Sequence, residues 1–274
     1  MGRFSVSTMF FHEYPCDYIF DYIAESGLDC LEFWVETPYF WLRDRPEAEL
    51  AGWIADHPEL SPITVHAPTL DLNPCSINPK VAEITVEYTL EAIQMADRVG
   101  AAVVTVHPGR RTAKRRPSAY DYRRFEVYIA RLREVAEGAQ VKVAIENLEP
   151  RANALLYTAE DAVEILEREP WLWFTLDMGH AMMASPKEVD RFIDLCIDRT
   201  VNVHVSAIGA NGRPHYPIHN DPGALRVLTE LADLGYSGHL TLELEDLIFS
   251  KPLCAEEKIV LLMQETEALK EAFF

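Results

Sequence analysis

Short runs of β-branched and aromatic residues alternate along this chain with longer segments whose apolar positions recur every three to four residues. Eight runs read as strands, at residues 3–7, 30–35, 63–66, 102–107, 141–146, 172–176, 201–205 and 239–243. Several are almost continuously apolar, as in Val103-Val104-Thr105-Val106, the pattern of strands covered on both faces in a parallel sheet. Helical periods fill the gaps. The clearest begins at Asn78-Pro79, a capping residue followed by proline at the first helical position. Its apolar face carries Val81, Ile84, Tyr88, Ala92, Met95 and Val99, and Gly100 stops it. Others are predicted near 17–26, 46–56, 118–137, 158–169, 186–197, 222–234 and 255–273, with Ser185-Pro186 and Asp221-Pro222 as start signals.

Eight strands and eight helices in alternation divide 274 residues into units of about 34, close to what a βα repeat needs. The expected architecture is α/β: a single (β/α)8 TIM barrel forming one domain over residues 1–274. A doubly wound open sheet is the competing architecture, but no G-x-G-x-x-G follows the first strand.

Composition adds limits. Hydrophobic residues make up 49% and charged residues 25%, a balance that supports a packed core and excludes a disordered or fibrous chain. The net charge of −19 disfavours nonspecific wrapping of nucleic acid, while leaving room for a local basic site. Cys16, Cys30, Cys75, Cys196 and Cys254 are scattered, odd in number and free of any C-x-x-C, so a disulfide framework is not expected and a reducing cytoplasm fits. No signal-peptide pattern opens the chain and no run reaches the roughly 18 apolar residues of a membrane helix.

In a barrel of this kind chemistry sits where the strands end. His66 ends the third strand, His107 the fourth and Glu146 the fifth. Asp177 and His180 follow the sixth, His204 lies on the seventh, and Glu243 ends the eighth. So many ionisable groups in one mouth are costly to bury unless something pairs them. A divalent metal does so, and imidazole with carboxylate suits zinc, manganese or iron.

The strings VHAP, VTVHPG, AIENLEP, TLDMGHA, NVHVSA and LTLELE resemble the xylose-isomerase-like TIM-barrel superfamily, which contains endonuclease IV and the sugar isomerases and epimerases. The resemblance runs from about the third strand to the eighth. Its epimerase branch implies one metal held by Glu146, Asp177, His204 and Glu243, with Glu146 and Glu243 also serving as the acid–base pair. Its endonuclease IV branch implies three zinc ions, adding His66 and His107, then a third set that here includes His180 and His215. That third set is incomplete, because Arg213 stands where the family has aspartate. One or two ions, zinc or manganese, are therefore expected, with Glu146 as the bridge between two. His219 and Asp221 offer substitute ligands, against their plainer roles in a solvated loop and at a helix cap.

Two kinds of loop surround this mouth. Arg110, Arg111, Lys114, Arg115 and Arg116 put five basic residues in seven after the fourth strand. They read either as a clamp for phosphate or carboxylate, since guanidinium binds such groups bidentately, or as a solvated charge run. Arg151 and Arg213 are possible additions to that clamp. Aromatic segments follow the first strand, Phe10 to Tyr14 around His12, and the second, Pro38 to Trp41 with Tyr39. They either stack on a sugar or base or cap the core. Glu36 reads equally as a substrate hydrogen-bonder or as a neighbour of a helix cap.

Three functions compete. The first is a metal-dependent isomerase or epimerase of a sugar or sugar phosphate, working by glutamate proton transfer; a dehydratase would use the same parts. The second is an endonuclease IV-like zinc phosphodiesterase cutting DNA at abasic sites. The third is a ligand-binding barrel without activity, against which the complete Glu-Asp-His-Glu set argues.

Overall fold

The structure is a computed structural model and describes residues 2–273. Eight strands pair in chain order, all parallel, and the last returns to the first to close a barrel. They are β1 (Arg3–Ser7), β2 (Cys30–Trp34), β3 (Thr64–His66), β4 (Val103–Val106), β5 (Lys142–Glu146), β6 (Trp173–Asp177), β7 (Thr200–Val205) and β8 (His239–Leu242). Each lies within one residue of its expected bounds. The expected TIM barrel is the fold.

The eight expected helices are present as α1 (Cys16–Glu25), α3 (Glu47–Asp56), α4 (Pro79–Arg98), α5 (Ala119–Ala136), α6 (Ala159–Arg168), α8 (Pro186–Cys196), α9 (Pro222–Asp233) and α10 (Ala255–Phe273). Two short helices were not expected, α2 (Pro38–Trp41) and α7 (Met178–Ala184). Neither is long enough to show a helical period. Caps start the main helices as their sequences require: the Asn78 side chain accepts from the Lys80 amide, and Asp221 Oδ1 accepts from the Ala224 amide at 2.7 Å.

Alternation along each strand decides what faces where. Leu31, Phe33, Val65, Val104, Ile145 and Leu240 face the helices and join one continuous core. Burying each such side chain contributes roughly 1.5–3 kcal/mol. The other parity points into the barrel, and contacts between strands that are not neighbours establish this. Thr105 of β4 meets Thr175 of β6 at 2.9 Å, and Asn202 of β7 donates to Glu32 of β2 at 2.9 Å. Thr241 donates in turn to Asn202 and meets Ser5, and Thr64 donates to Glu32. The barrel interior is thus a hydrogen-bonded polar floor. Two residues further along the same strands stand His66, His107, Asp177, His204 and Glu243.

One buried cation ties the mouth loops down. Lys258 of α10 is fully buried and donates to the Phe10 carbonyl, Glu13 and Asp246, with the Phe10 and Phe11 rings beside it. The aromatic segment after β1 therefore belongs to the core: Phe10 and Phe11 are inaccessible to solvent.

At the opposite end, His239 is buried beside Cys30, and burial, with Arg3 nearby, pushes its imidazole down to about 4. The unfolded chain would bind a proton near pH 6.5 that the folded chain refuses until about pH 4. Stability is therefore complete above pH 6.5 and falls as pH drops toward 4, by about 3 kcal/mol at most from this group. Urea titrations across that range should show a shallower pH slope for His239→Gln than for the native chain; equal slopes would remove His239 from the acid response.

Candidate metal centre

Closure of the barrel brings the strand-end residues onto one buried carboxylate. Glu146 Oε2 lies 3.3 Å from His66 Nε2 and 3.0 Å from His107 Nε2, and Glu146 Oε1 lies 3.4 Å from His204 Nδ1 and 3.6 Å from His180 Nδ1. Glu243 Oε2 is 3.2 Å from the same His204 nitrogen. Asp177 is fully buried; its Oδ1 accepts from the His180 amide at 2.7 Å as the cap of α7, which leaves Oδ2 facing the cluster.

Burial disfavours charge on all these groups, yet mutual pairing outweighs it. His66 is pushed up to about 9 against its own burial by the hydrogen bond and charge of Glu146. His180 rises to about 10, again against burial, through Asp177 and then Glu146. His204 rises well above the ordinary imidazole value, opposed by burial and driven by Glu32, Glu243 and Glu146. Glu146, which burial alone would raise, is held well below the usual carboxylate range by His107 and His204.

Whether these residues fit a metal can be judged from what they leave unpaired. Among the described residues, Asp177 Oδ2, His204 Nδ1, Glu243 Oε2 and, in the floor, Glu32 Oε1 are buried side-chain atoms that make no well-oriented hydrogen bond, their charged neighbours lying at 3.0–3.4 Å: His180 Nδ1 beside Asp177, and His204 beside Glu32, Glu146 and Glu243. His204 Nε2 contacts Glu32 at 3.2 Å. If that nitrogen carries the proton, the Nδ1 lone pair faces two carboxylates, which only a second proton or a cation can reconcile. Donor atoms of Glu146, Asp177, His204 and Glu243 all lie within 4.8 Å of one another, as do those of His66, His107 and Glu146. The set matches the nitrogen and oxygen donors that zinc or manganese takes, and Glu146 is common to both groups.

Glu32 was not anticipated. It sits fully buried in the polar floor and holds the far side of His204, as carboxylates behind metal-binding histidines do. Its sequence signal was a glutamate flanked by Leu31 and Phe33 within an apolar strand. Asn147 was missed too; it brackets the Asp177 backbone with both side-chain atoms, and its carbonyl contacts His180 Nδ1 at 3.0 Å.

The rings of His180 and His215 stand 5.7 Å apart beside the centre, but among the described residues neither joins a group of three potential ligands. Arg213, in the position of the family's aspartate, is exposed. His219 pairs with Glu265 and Asp221 caps α9, the plainer of the two roles expected for each.

A cavity of about 330 Å³ opens over the centre, lined by His66, His107, Glu146, His180, His215 and Glu243, and by Arg110, Glu149, Arg151 and Glu245 from the loops. The other expected substrate contacts lie outside its lining. Trp41 packs edge-on against Tyr88 with Arg45 over its face, because α2 turns the segment toward α4. Tyr39, on the same short helix, is exposed. His12 contacts the Met9 carbonyl at 2.9 Å. Arg111 donates to the Arg116 carbonyl, and Arg115 and Arg116 are exposed. Glu36 resolves to an architectural role: it accepts from the Thr69 and Leu70 amides and holds the loop after β3.

Residues 20–266 match the family described as xylose isomerase-like TIM barrel, and the chain belongs to that family. It is 32% identical over 273 residues to the uncharacterized protein MJ1188 of Methanocaldococcus jannaschii, covering 98% of this chain and 99% of that one. Among solved structures it resembles a D-tagatose 3-epimerase-like protein, with TM-score 0.77, 27% identity and coverage of 98% and 96% of the two chains. An L-ribulose 3-epimerase superposes with TM-score 0.78 at 18% identity, covering 100% and 95%, and shares the fold. No helix of the described chain is long and apolar enough to cross a membrane.

If Glu32 orients His204, Glu32→Gln should weaken binding of added Mn²⁺ or Zn²⁺ by about 10- to 100-fold. Calorimetric titration of the metal-stripped protein measures this; unchanged affinity would make Glu32 a floor residue only.

Proposed function

We propose that the chain is a divalent-metal-dependent epimerase or isomerase of a ketose, transferring protons through Glu146 and Glu243. The observation that carries this reading is the pair of buried carboxylates meeting at His204 Nδ1 from strands β5 and β8, at 3.4 and 3.2 Å. The likeness to a D-tagatose 3-epimerase-like protein supports it. A bound metal would supply Lewis-acid polarisation of the substrate carbonyl and neighbouring hydroxyl. Glu146, Asp177, His204 and Glu243 would hold it, and His66 and His107 with Glu146 provide for a second ion.

The chain's own residues account for the proton. One glutamate removes it from the carbon beside the carbonyl, and the electron pair moves onto the carbonyl oxygen as an enediolate. The other glutamate returns a proton to the opposite face of the same carbon, inverting it. For the reverse direction the two exchange roles. The imidazoles of His107 and His204 hold Glu146 in its ionised form. The buried floor beneath excludes water from that side of the site.

A second reading is an endonuclease IV-like phosphodiesterase. The His66–His107–Glu146 group favours it, because a one-ion epimerase does not need these histidines. The net charge of −19 and the exposed Arg213 in place of aspartate oppose it.

Turnover of ketoses with Mn²⁺ in deuterated water separates the readings. The native chain should epimerise a ketose and place deuterium on the inverted carbon. Glu146→Gln and Glu243→Gln should each lose about 10²- to 10⁴-fold in rate. Full turnover in either variant would end the two-glutamate mechanism, and cleavage of an abasic-site duplex without ketose turnover would select the phosphodiesterase.

A further inference from the structure

The cavity wall carries both signs of charge, Glu149 and Glu245 as well as two arginines. The cavity floor carries the carboxylates and imidazoles described above, while Arg110 and Arg151 stand in the wall. Arg151 is already paired with Glu149. Arg110 is different: its backbone is fixed and its side chain is not engaged.

The backbone is held from two directions. Asn73 Oδ1 accepts from the Arg110 amide at 3.0 Å, and Asn73 Nδ2 donates to the Arg110 carbonyl at 2.8 Å. Arg110 also forms an isolated antiparallel bridge with Ala154, and Asn153 ties the next residue through both its backbone carbonyl and its side chain. Gly109 makes the turn at φ 83°, where an added Cβ would come within 2.9 Å of Asn73 Oδ1. A glycine is needed there for the loop to approach so closely.

Against that rigid mounting, no carboxylate among the described residues lies within ion-pair distance of the Arg110, Lys114, Arg115 or Arg116 head groups, although Arg111 and Arg151 nearby have theirs. Arg43, Arg45, Arg98, Arg133, Arg168 and Arg226 each hold an aspartate or glutamate. Arg3, Lys80, Arg123, Lys187 and Arg213 among the described residues likewise have no carboxylate within ion-pair distance; Arg110 differs from them in lining the cavity, with the exposed Lys114, Arg115 and Arg116 following on the same loop, so that it is available for an anion that arrives from outside.

We infer that Arg110 receives a terminal anionic group, a phosphate ester or a carboxylate, of the sugar whose carbonyl end lies at the carboxylate–imidazole cluster. Lys114, Arg115 and Arg116 supply the surrounding positive field that draws it in. The guanidinium fork takes two oxygens of such a group at once, and the fixed backbone reduces the ordering cost of doing so. This assignment rests on the proposed function for the identity of the substrate's other end.

The test uses ligands that bind without reacting: xylitol, xylitol 5-phosphate and xylonate, titrated calorimetrically into the Mn²⁺-loaded protein. One of the two anionic ligands should bind tighter than xylitol by about ten- to a hundredfold. Which of them does so decides between phosphate and carboxylate. Arg110→Gln should collapse that ratio toward one, and Arg110→Lys, which keeps the charge without the fork, should keep part of it. The Arg110 main-chain bonds do not depend on its side chain, so both variants should fold. Equal binding of all three ligands, or a preference that survives Arg110→Gln, would overturn the assignment. Because binding is read without turnover, a clamp that holds in a protein epimerising no ketose would sink the proposed reaction and leave the anion site standing. Turnover of neutral ketoses without any anion preference would do the reverse. Cleavage of an abasic duplex that Arg110→Gln abolishes would move the site to a nucleic-acid backbone and overturn the sugar assignment.

Discussion

Four imidazoles converge on one buried carboxylate, and the rest of the site follows from the need to reconcile their charges. Glu146 is 1% exposed and meets nitrogens of His66, His107, His180 and His204 within 3.6 Å. Without partners, such a group would neutralise itself or destabilise the fold. Protons on the histidines answer much of that demand, since His180 Nδ1 lies 3.0 Å from Asp177 Oδ2 and His204 Nδ1 lies 3.4 and 3.2 Å from Glu146 and Glu243. A divalent cation is the other way to balance the same carboxylates, and the donor atoms of Glu146, Asp177, His204 and Glu243, within 4.8 Å of one another, are what support the proposed metal.

The barrel makes this convergence possible by a simple parity. On each strand one set of positions packs against the helices and the other points inward, so the sites at the mouth stand two residues beyond the polar floor. Glu32 connects these levels. It receives hydrogen bonds from Thr64 and Asn202 below and faces His204 above, joining the floor to the centre through one carboxylate. Lys258 does a comparable job outside the barrel, holding the loops after β1 and β8 to α10.

Much of this was legible in the sequence. Apolar strand runs and capped helical periods set the eightfold repeat, and the strand-end residues identified the groups that the barrel brings together. What escaped the sequence shares a physical cause: it depends on partners distant along the chain. Glu32 looked like a polar interruption in an apolar strand, since nothing local reveals that it lies opposite His204, 172 residues away. Trp41 and Tyr39 suggested a stacking platform, but α2 is too short to announce itself and turns Trp41 onto Tyr88. The basic loop announced its charge, while only the fold distinguishes Arg110, in the cavity wall, from Arg111, bonded to the Arg116 carbonyl.

The proposed function requires that Glu146, Asp177, His204 and Glu243 at the barrel mouth hold a metal. Anomalous diffraction from crystals grown with Mn²⁺ or Zn²⁺ tests it most directly. A peak is expected about 2.0–2.2 Å from oxygen or nitrogen atoms of Glu146, Asp177, His204 and Glu243, with any second ion between His66, His107 and Glu146. A mouth that stays free of anomalous signal at saturating metal, or ions bound only elsewhere, would contradict it.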